Sequence, residues 1–126
     1  MSTEYFLNEF EVNNNVLILD RDDKYVANFG KQWRDHVDIQ IDSKNGTTCS
    51  QDLLENVIFD DLSYFEGKSV LEIGCGAGRF SEHIAKHAKN CVLVDLSQAI
   101  IFNVAQSNDS ALRIKADFLK LIPNKK

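Results

Sequence analysis

Apolar residues in the second half of the chain are spaced as strands that alternate with helices. Residues 69–73 and 91–94 carry apolar side chains on both faces, which is typical of strands buried in a parallel sheet. Residues 111–116 alternate apolar and polar side chains and predict a third strand. The segments between these strands have apolar residues at helical spacing: Phe80, Ile84 and Ala88, then Ile100, Ile101, Val104 and Ala105.

This order of elements predicts parallel strands joined by right-handed crossovers. The predicted fold class is therefore α/β, a partial Rossmann-like parallel sheet with flanking helices, preceded by an irregular and helical N-terminal segment. We divide the chain into a lead-in over residues 1–66 and a half domain over residues 67–126, which together form one structural domain.

The first half of the chain is more polar and contains three shorter patterns. Residues 16–19 predict a short strand. Tyr25, Phe29 and Trp33 recur every fourth residue and predict one helical face, which either packs in the core or closes over a ligand. An amphipathic helix is predicted to follow a capping Ser50. Its apolar stripe comprises Leu53, Leu54, Val57, Ile58 and Leu62.

A glycine loop (residues 74–78) follows the first strand of the second half, with Gly74, Gly76 and Gly78 at every second position. Such a density of glycine indicates a backbone that turns sharply or lets a ligand come close. The loop falls at the carboxyl edge of the predicted sheet, where open α/β folds bind ligands. We expect the next helix to begin near Ala77 or Gly78 and to direct free N–H groups at an anionic group. The alternative is that the glycines only allow tight strand–helix packing.

Acidic residues end the second and third of these strands. Asp95 lies about twenty residues after the loop, where a carboxylate can accept hydrogen bonds from both hydroxyls of a ribose. Its alternative role is to cap the next helix, for which Ser97 competes. Asp117 can accept a hydrogen bond from the adenine amine while Phe118 packs against the ring, or Asp117 is only solvated.

The glycine loop departs from the dinucleotide fingerprint GxGxxG, which needs a small residue where this chain has Arg79. The stretches VLEIGCGAGRFSEHIA, VLVDLS and IKADF instead resemble motif I and the next two strand-end acids of class I S-adenosylmethionine-dependent methyltransferases. They occur in the family's order between residue 69 and about residue 122. The upstream stretch NFGKQW resembles the lead-in of bacterial small-molecule methyltransferases. The resemblance implies methyl transfer from S-adenosylmethionine, and we expect a small-molecule acceptor.

The resemblance also assigns cofactor contacts. It implies that Glu72 and the glycine loop hold the methionine end, that Asp95 holds the ribose, and that Asp117 with Phe118 holds the adenine. The predicted cofactor-binding residues are Glu72, Gly74, Cys75, Gly76, Gly78, Asp95, Leu96, Asp117 and Phe118. A general base is required only if the acceptor must lose a proton, and no candidate for one is evident. The catalytic residues therefore stay unassigned.

The family's sheet has seven strands, and the chain ends where the fourth should begin. We expect an expressed fragment or truncated gene product, or else a natural short form completed by a partner. The first strand of the family's sheet would then be an exposed apolar edge. We therefore expect marginal stability, a homodimer, or pairing with a strand borrowed from residues 16–19.

Composition adds further limits. The 126 residues suit one domain, and the net charge of −5 argues against nucleic-acid or anionic-membrane binding driven by charge. No signal peptide and no apolar run long enough to span a bilayer is evident. Cys49, Cys75 and Cys91 lack CxxC spacing, so we expect reduced thiols in a cytoplasmic protein. His83 and His87 are four residues apart without a third ligand, so we expect surface histidines and no metal.

Two other functions stay open. One is a non-catalytic module that holds the cofactor or its demethylated product without an acceptor site. The other is a nicotinamide-dependent oxidoreductase domain, which Arg79 disfavours.

Overall fold

The computed structural model of the protein describes residues 3–19, 39–58, 61–108 and 110–125, apart from the side chains of Gln106 and Ser107. The predicted helical face of Tyr25, Phe29 and Trp33 lies outside these residues, as does the NFGKQW stretch. No helix in the described part of the chain is long and apolar enough to cross a membrane.

Five strands form one mixed sheet in the order β1-β2-β5-β4-β3. They are β1 (Glu11–Asn13), β2 (Val16–Ile18), β3 (Ser69–Ile73), β4 (Asn90–Asp95) and β5 (Ala111–Lys115). Strands β2, β5, β4 and β3 are parallel to one another, and β1 is antiparallel to β2. The α/β class and the three parallel strands predicted in the second half are confirmed.

The predicted strand at residues 16–19 forms as β2, and a tight turn joins it to β1. Asn14 and Asn15 in that turn have positive φ values of 52° and 61°, a conformation that asparagine tolerates better than most residues. Strand β2 then pairs with β5, on the far side of the sheet from β3. In the described residues β3 has no outer neighbour, and Leu71 and Ile73 on it are 44% and 53% exposed.

The helices are short. Those that lie wholly within the described residues are α1 (Asp42–Asn45), α2 (Cys49–Leu53) and α3 (Ser81–His87). A π-helical turn (Leu54–Ile58) follows α2, and 3₁₀ turns occur at Leu62–Phe65, Gln98–Phe102, Val104–Ser107 and Phe118–Lys120.

Both boundaries predicted for the amphipathic helix after Ser50 are wrong. Thr48 is the N-cap residue, and Ser50 is a buried residue inside α2. Leu54 is buried as predicted, but Val57 and Ile58 are exposed. The π-helical turn explains this outcome, because one extra residue per turn rotates the later side chains off the apolar stripe.

The predicted helix between β4 and β5 forms instead as two 3₁₀ turns. Ser97 caps the first of them, as predicted, by accepting a hydrogen bond from Ala99 N at 3.2 Å. Asn103 ends this turn and caps the second by accepting from Ala105 N at 2.9 Å. A buried asparagine that caps from inside the segment therefore prevents one continuous helix.

Apolar residues pack on both faces of the sheet, because successive side chains of a strand point to opposite sides. One face, with Leu93 of β4, is covered by the helical segments through Ile84 and Ile100. The other face, with Val92 and Val94 of β4, is covered by residues near the two chain termini, including Phe6, Phe10 and Leu121. Burial on both faces agrees with the continuous apolar pattern of β4.

The polar residues of β5 are not solvated. Arg113 is buried and donates hydrogen bonds to three backbone carbonyls: Ile100 O at 3.1 Å, Ile101 O at 2.9 Å and Asn14 O at 2.9 Å. One guanidinium therefore joins the β1–β2 turn to the first 3₁₀ turn after β4.

We expect Arg113→Met to lower the free energy of unfolding by about 2–4 kcal/mol, because three backbone carbonyls, one of them in a buried contact, lose a charged donor. Urea denaturation monitored by circular dichroism measures this loss. Lys86→Met, at an exposed position of α3, is the control and should change stability by less than about 0.5 kcal/mol. Equal losses in the two variants would contradict the prediction.

Candidate cofactor site

The glycine loop lies at the carboxyl ends of β3 and β4. Gly74 N and Cys75 N donate to Val94 O at 2.7 and 3.3 Å, which ties the loop to β4. At Gly78, with φ of 101°, an added Cβ would lie 2.7 Å from Asn103 Oδ1. At Gly74, with φ of 78°, an added Cβ would meet nothing within 4 Å. Gly78 thus serves close packing, whereas Gly74 leaves open space at the sheet edge.

The expected start of the helix after the loop is wrong. Regular helix begins at Ser81, later than Ala77 or Gly78. Gly76 N donates to Asp95 Oδ2 at 2.8 Å and Gly78 N donates to Cys75 O at 3.0 Å. These amides are therefore engaged within the protein and do not point freely at an anionic ligand group.

Asp95 connects the glycine loop to the turn after β4. Its Oδ2 accepts the hydrogen bond from Gly76 N, and its Oδ1 accepts one from Ser97 N at 2.7 Å. Ser97, not Asp95, caps the 3₁₀ turn that follows. Each carboxylate oxygen can accept a second hydrogen bond, so Asp95 retains the capacity to bind two hydroxyl groups.

Glu72 belongs to the face of β3 that is covered by the helices. Ser81 Oγ donates to Glu72 Oε1 at 2.6 Å. Burial, with a further contribution from the negative charge of Asp95, raises the pKa of Glu72 to about 7. The carboxyl group of Glu72 is therefore divided between its neutral and ionised forms near neutral pH.

Asn103 and Ser81 support this arrangement, and neither was predicted as a site residue. Asn103 is fully buried and its Nδ2 donates to Gly76 O and to Ser81 Oγ, both at 3.1 Å. The network thus runs from Glu72 through Ser81 and Asn103 to the loop backbone. Its one sequence signal is the polar Asn103 in the otherwise apolar segment from residue 99 to residue 105.

The predicted adenine residues lie at the carboxyl end of β5. Asp117 Oδ1 accepts a hydrogen bond from Leu119 N at 3.0 Å and caps the 3₁₀ turn Phe118–Lys120. The ring of Phe118 is exposed. Ala116 N donates to Asp95 O at 3.1 Å, so the two acids belong to adjacent strand ends. Asp117 therefore has a capping role and is not merely solvated.

The cysteines are free thiols, as expected. Cys75 and Cys91 are buried, and Cys49 is exposed. Burial, together with the nearby carboxylates of Glu72 and Asp95, raises the pKa of the Cys75 thiol far above its ordinary value. Burial, with the charge of Glu72, also raises the pKa of Cys91 to about 12. Neither thiol is activated as a nucleophile.

Leu96, another predicted cofactor residue, is half-buried and follows Asp95 directly.

The prediction of surface histidines is wrong for His83. This side chain is buried, and its Nε2 lies 2.9 Å from Asp42 Oδ2. His87 is partly exposed, with Nδ1 4.0 Å from Glu66 Oε1. The partner of His83 comes from α1, which is 41 residues away in the sequence.

A mostly parallel sheet with a glycine loop and acidic side chains at its carboxyl edge is typical of α/β proteins that bind a ligand at that edge. Residues 49–122 match a family described as a methyltransferase domain, which is more than half of the chain. The chain therefore belongs to the class I S-adenosylmethionine-dependent methyltransferase family, as its motifs predicted.

Two plant proteins are similar to the chain. It is 32% identical over 71 residues to phosphoethanolamine N-methyltransferase 1 of Zea mays, covering 56% of this chain and 14% of that protein. It is 32% identical over 75 residues to the phosphoethanolamine N-methyltransferase of Triticum aestivum, covering 56% of this chain and 15% of that protein. The matched segment is thus about a seventh of the length of these relatives.

Proposed function

We propose that the chain is the cofactor-binding portion of a methyltransferase and binds S-adenosylmethionine at the carboxyl edge of β3, β4 and β5. The observation that carries this proposal is the position of Asp95. Its carboxylate lies between the glycine loop and the turn after β4, with one acceptor position free on each oxygen. That arrangement suits the paired hydroxyls of a ribose.

The charges at this edge suit the rest of the cofactor. S-adenosylmethionine carries a sulfonium and an ammonium group, and Glu72 and Asp95 lie close enough for the charge of Asp95 to raise the pKa of Glu72. A cation bound between these acids would favour ionised Glu72. The open space at Gly74 is where the cofactor would pass the loop backbone.

Two residues that follow β5 suit the adenine end of the cofactor. Asp117 has one oxygen engaged as a cap, which leaves the other for an exocyclic amine. The exposed ring of Phe118 offers an apolar face for the base. Both residues follow β5 directly, next to Asp95.

The cofactor supplies the methyl group from its sulfonium, and the residues of this chain bind and orient it. We propose a small-molecule acceptor. An amine of the kind in the names of the maize and wheat relatives is the acceptor class that the comparisons favour. No residue described here is assigned as a general base.

A pair of glycine variants tests the cofactor site. Gly74 and Gly67 have φ values of 78° and 73°, and an added Cβ would meet nothing within 4 Å at either position. Gly74→Ala and Gly67→Ala should therefore lose similar stability, about 1 kcal/mol each. Only Gly74→Ala should weaken S-adenosylmethionine binding, by about tenfold or more, because its methyl group enters the open space.

Calorimetric titration with S-adenosylmethionine, S-adenosylhomocysteine and NAD measures these affinities. Equal effects of the two variants, or binding of NAD alone, would contradict the proposal. Binding of the sulfonium without methyl transfer to any small amine would favour a non-catalytic module.

A further inference from the structure

Two buried carboxylates, one close to His83 in the sequence and one distant from it, converge on the buried imidazole nitrogen of His83. His83 Nε2 lies 2.9 Å from Asp42 Oδ2 and 3.5 Å from Glu82 Oε1. The three residues are between 6% and 8% exposed. Ligand atoms bound tetrahedrally at about 2.0–2.1 Å from a zinc ion lie about 3.3 Å apart. That separation falls between the two observed distances, and the ligand atoms of the three residues all lie within 4.8 Å of one another.

Among the described residues, no lysine or arginine pairs with the two carboxylates of this cluster. In the described residues, His83 is the ion-pair partner of both Asp42 and Glu82. Arg79, which reaches the same region, donates to Ser50 Oγ at 3.0 Å and not to either carboxylate. Even a protonated imidazole would leave one of the two negative charges uncompensated in a buried site, which is costly. A divalent cation with neutral His83 would balance both.

Backbone groups already hold the carboxylates in place. Ser50 N donates to Asp42 Oδ1 at 3.1 Å, and Gln51 N donates to Asp42 Oδ2 at 2.9 Å. Although burial opposes it, these hydrogen bonds keep the pKa of Asp42 below its usual range. Ser43 N donates to Glu82 Oε1 at 3.2 Å. Such outer contacts orient ligands toward an ion and leave lone pairs for it.

We propose that Asp42, Glu82 and His83 form a binding site for a zinc-like transition-metal dication, which would replace the hydrogen on His83 Nε2. One imidazole with two carboxylates favours such an ion over calcium or magnesium, which prefer oxygen ligands throughout. The ion would join α1, through Asp42, to α3, the helix that follows the glycine loop. Its role is to stabilise the contact between these elements, independently of the cofactor site.

Calorimetric titration of the full chain with Zn²⁺ tests the site in a Cys49→Ser background, because Cys49 is an exposed thiol. His83→Gln removes the imidazole but keeps an N–H donor for Asp42 and should weaken Zn²⁺ binding by about 100-fold or more. Glu82→Gln, which keeps an acceptor for Ser43 N, should also weaken it. His87→Gln, at the partly exposed histidine on the same helix, should bind Zn²⁺ as the background protein does.

Two further measurements report on the geometry. Co²⁺ should give the intense visible absorption of a tetrahedral site in the background protein and in His87→Gln, but not in His83→Gln. Zn²⁺ should raise the Tm of the same two proteins only. The proposal is overturned if Zn²⁺ binds His83→Gln as tightly as the background protein, or if His87→Gln loses as much affinity. If His83→Gln does not fold, unchanged Zn²⁺ affinity in Glu82→Gln overturns it.

Discussion

Glu72→Gln is expected to stabilise the free protein at pH 8 by about 3 kcal/mol more than it does at pH 4. The pKa of Glu72 is about 7 in the folded protein, against a reference value of 4.5. Between these values the folded state binds more protons than the unfolded state, so the free energy of unfolding falls as pH rises. The full cost, about 3 kcal/mol, is present above pH 7 and absent below pH 4.5. Glutamine cannot ionise, so the variant loses this pH dependence.

Urea denaturation at pH 4 and pH 8 measures the difference between the two proteins. Glu66→Gln, which removes an exposed carboxylate, should follow the wild type at both values. A stability difference between wild type and Glu72→Gln that is the same at pH 4 and pH 8 would refute the prediction. In the same proteins, S-adenosylmethionine binding should tighten with pH through about 7 for the wild type and Glu66→Gln but not for Glu72→Gln, because the cation proposed to bind there would favour ionised Glu72.

Asp95→Asn is expected to abolish most cofactor binding and to destabilise the protein. Each oxygen of Asp95 accepts a backbone hydrogen bond, and an asparagine amide has one acceptor oxygen. One backbone N–H would therefore lose its partner, at a cost of about 1–3 kcal/mol. Loss of the two charge-assisted hydrogen bonds that we propose between Asp95 and the ribose should weaken S-adenosylmethionine binding by about 100-fold or more.

Asp117→Asn is the matched control for this variant. Asp117 accepts one backbone hydrogen bond, from Leu119 N, and asparagine caps as well as aspartate. Its stability should change by less than about 0.5 kcal/mol, and its affinity for the cofactor should fall less than that of Asp95→Asn. Calorimetry on samples verified as folded by circular dichroism measures both affinities. Similar stability and affinity in Asp95→Asn and Asp117→Asn would show that Asp95 has no special role.

Local patterns were sufficient to predict the three parallel strands of the second half and the glycine loop. Strands β3, β4 and β5 formed where apolar residues run continuously or alternate, because burial of such segments depends on the residues of the segment itself. The positions of Asp95 and Asp117 followed directly, since each ends or follows a predicted strand. The family also followed from these motifs, because they lie within one continuous segment.

Patterns of the same kind failed for two predicted helices. The stripe after Ser50 predicted one helix, but a π-helical turn moved Val57 and Ile58 into solvent. Asn103 interrupted the predicted helix between β4 and β5, where its side chain bonds to the glycine loop and to Ser81. Neither partner is close to Asn103 in the sequence.

The sequence by itself determined the strands, the glycine loop and the acids at the sheet edge, since each depends on the order of neighbouring residues. Only the tertiary structure decided that β2 pairs with β5, that Arg113 is buried among carbonyls, and that His83 meets Asp42. These contacts join residues that are far apart in the chain, and their energy depends on which surfaces packing brings together. A local pattern carries no information about that choice.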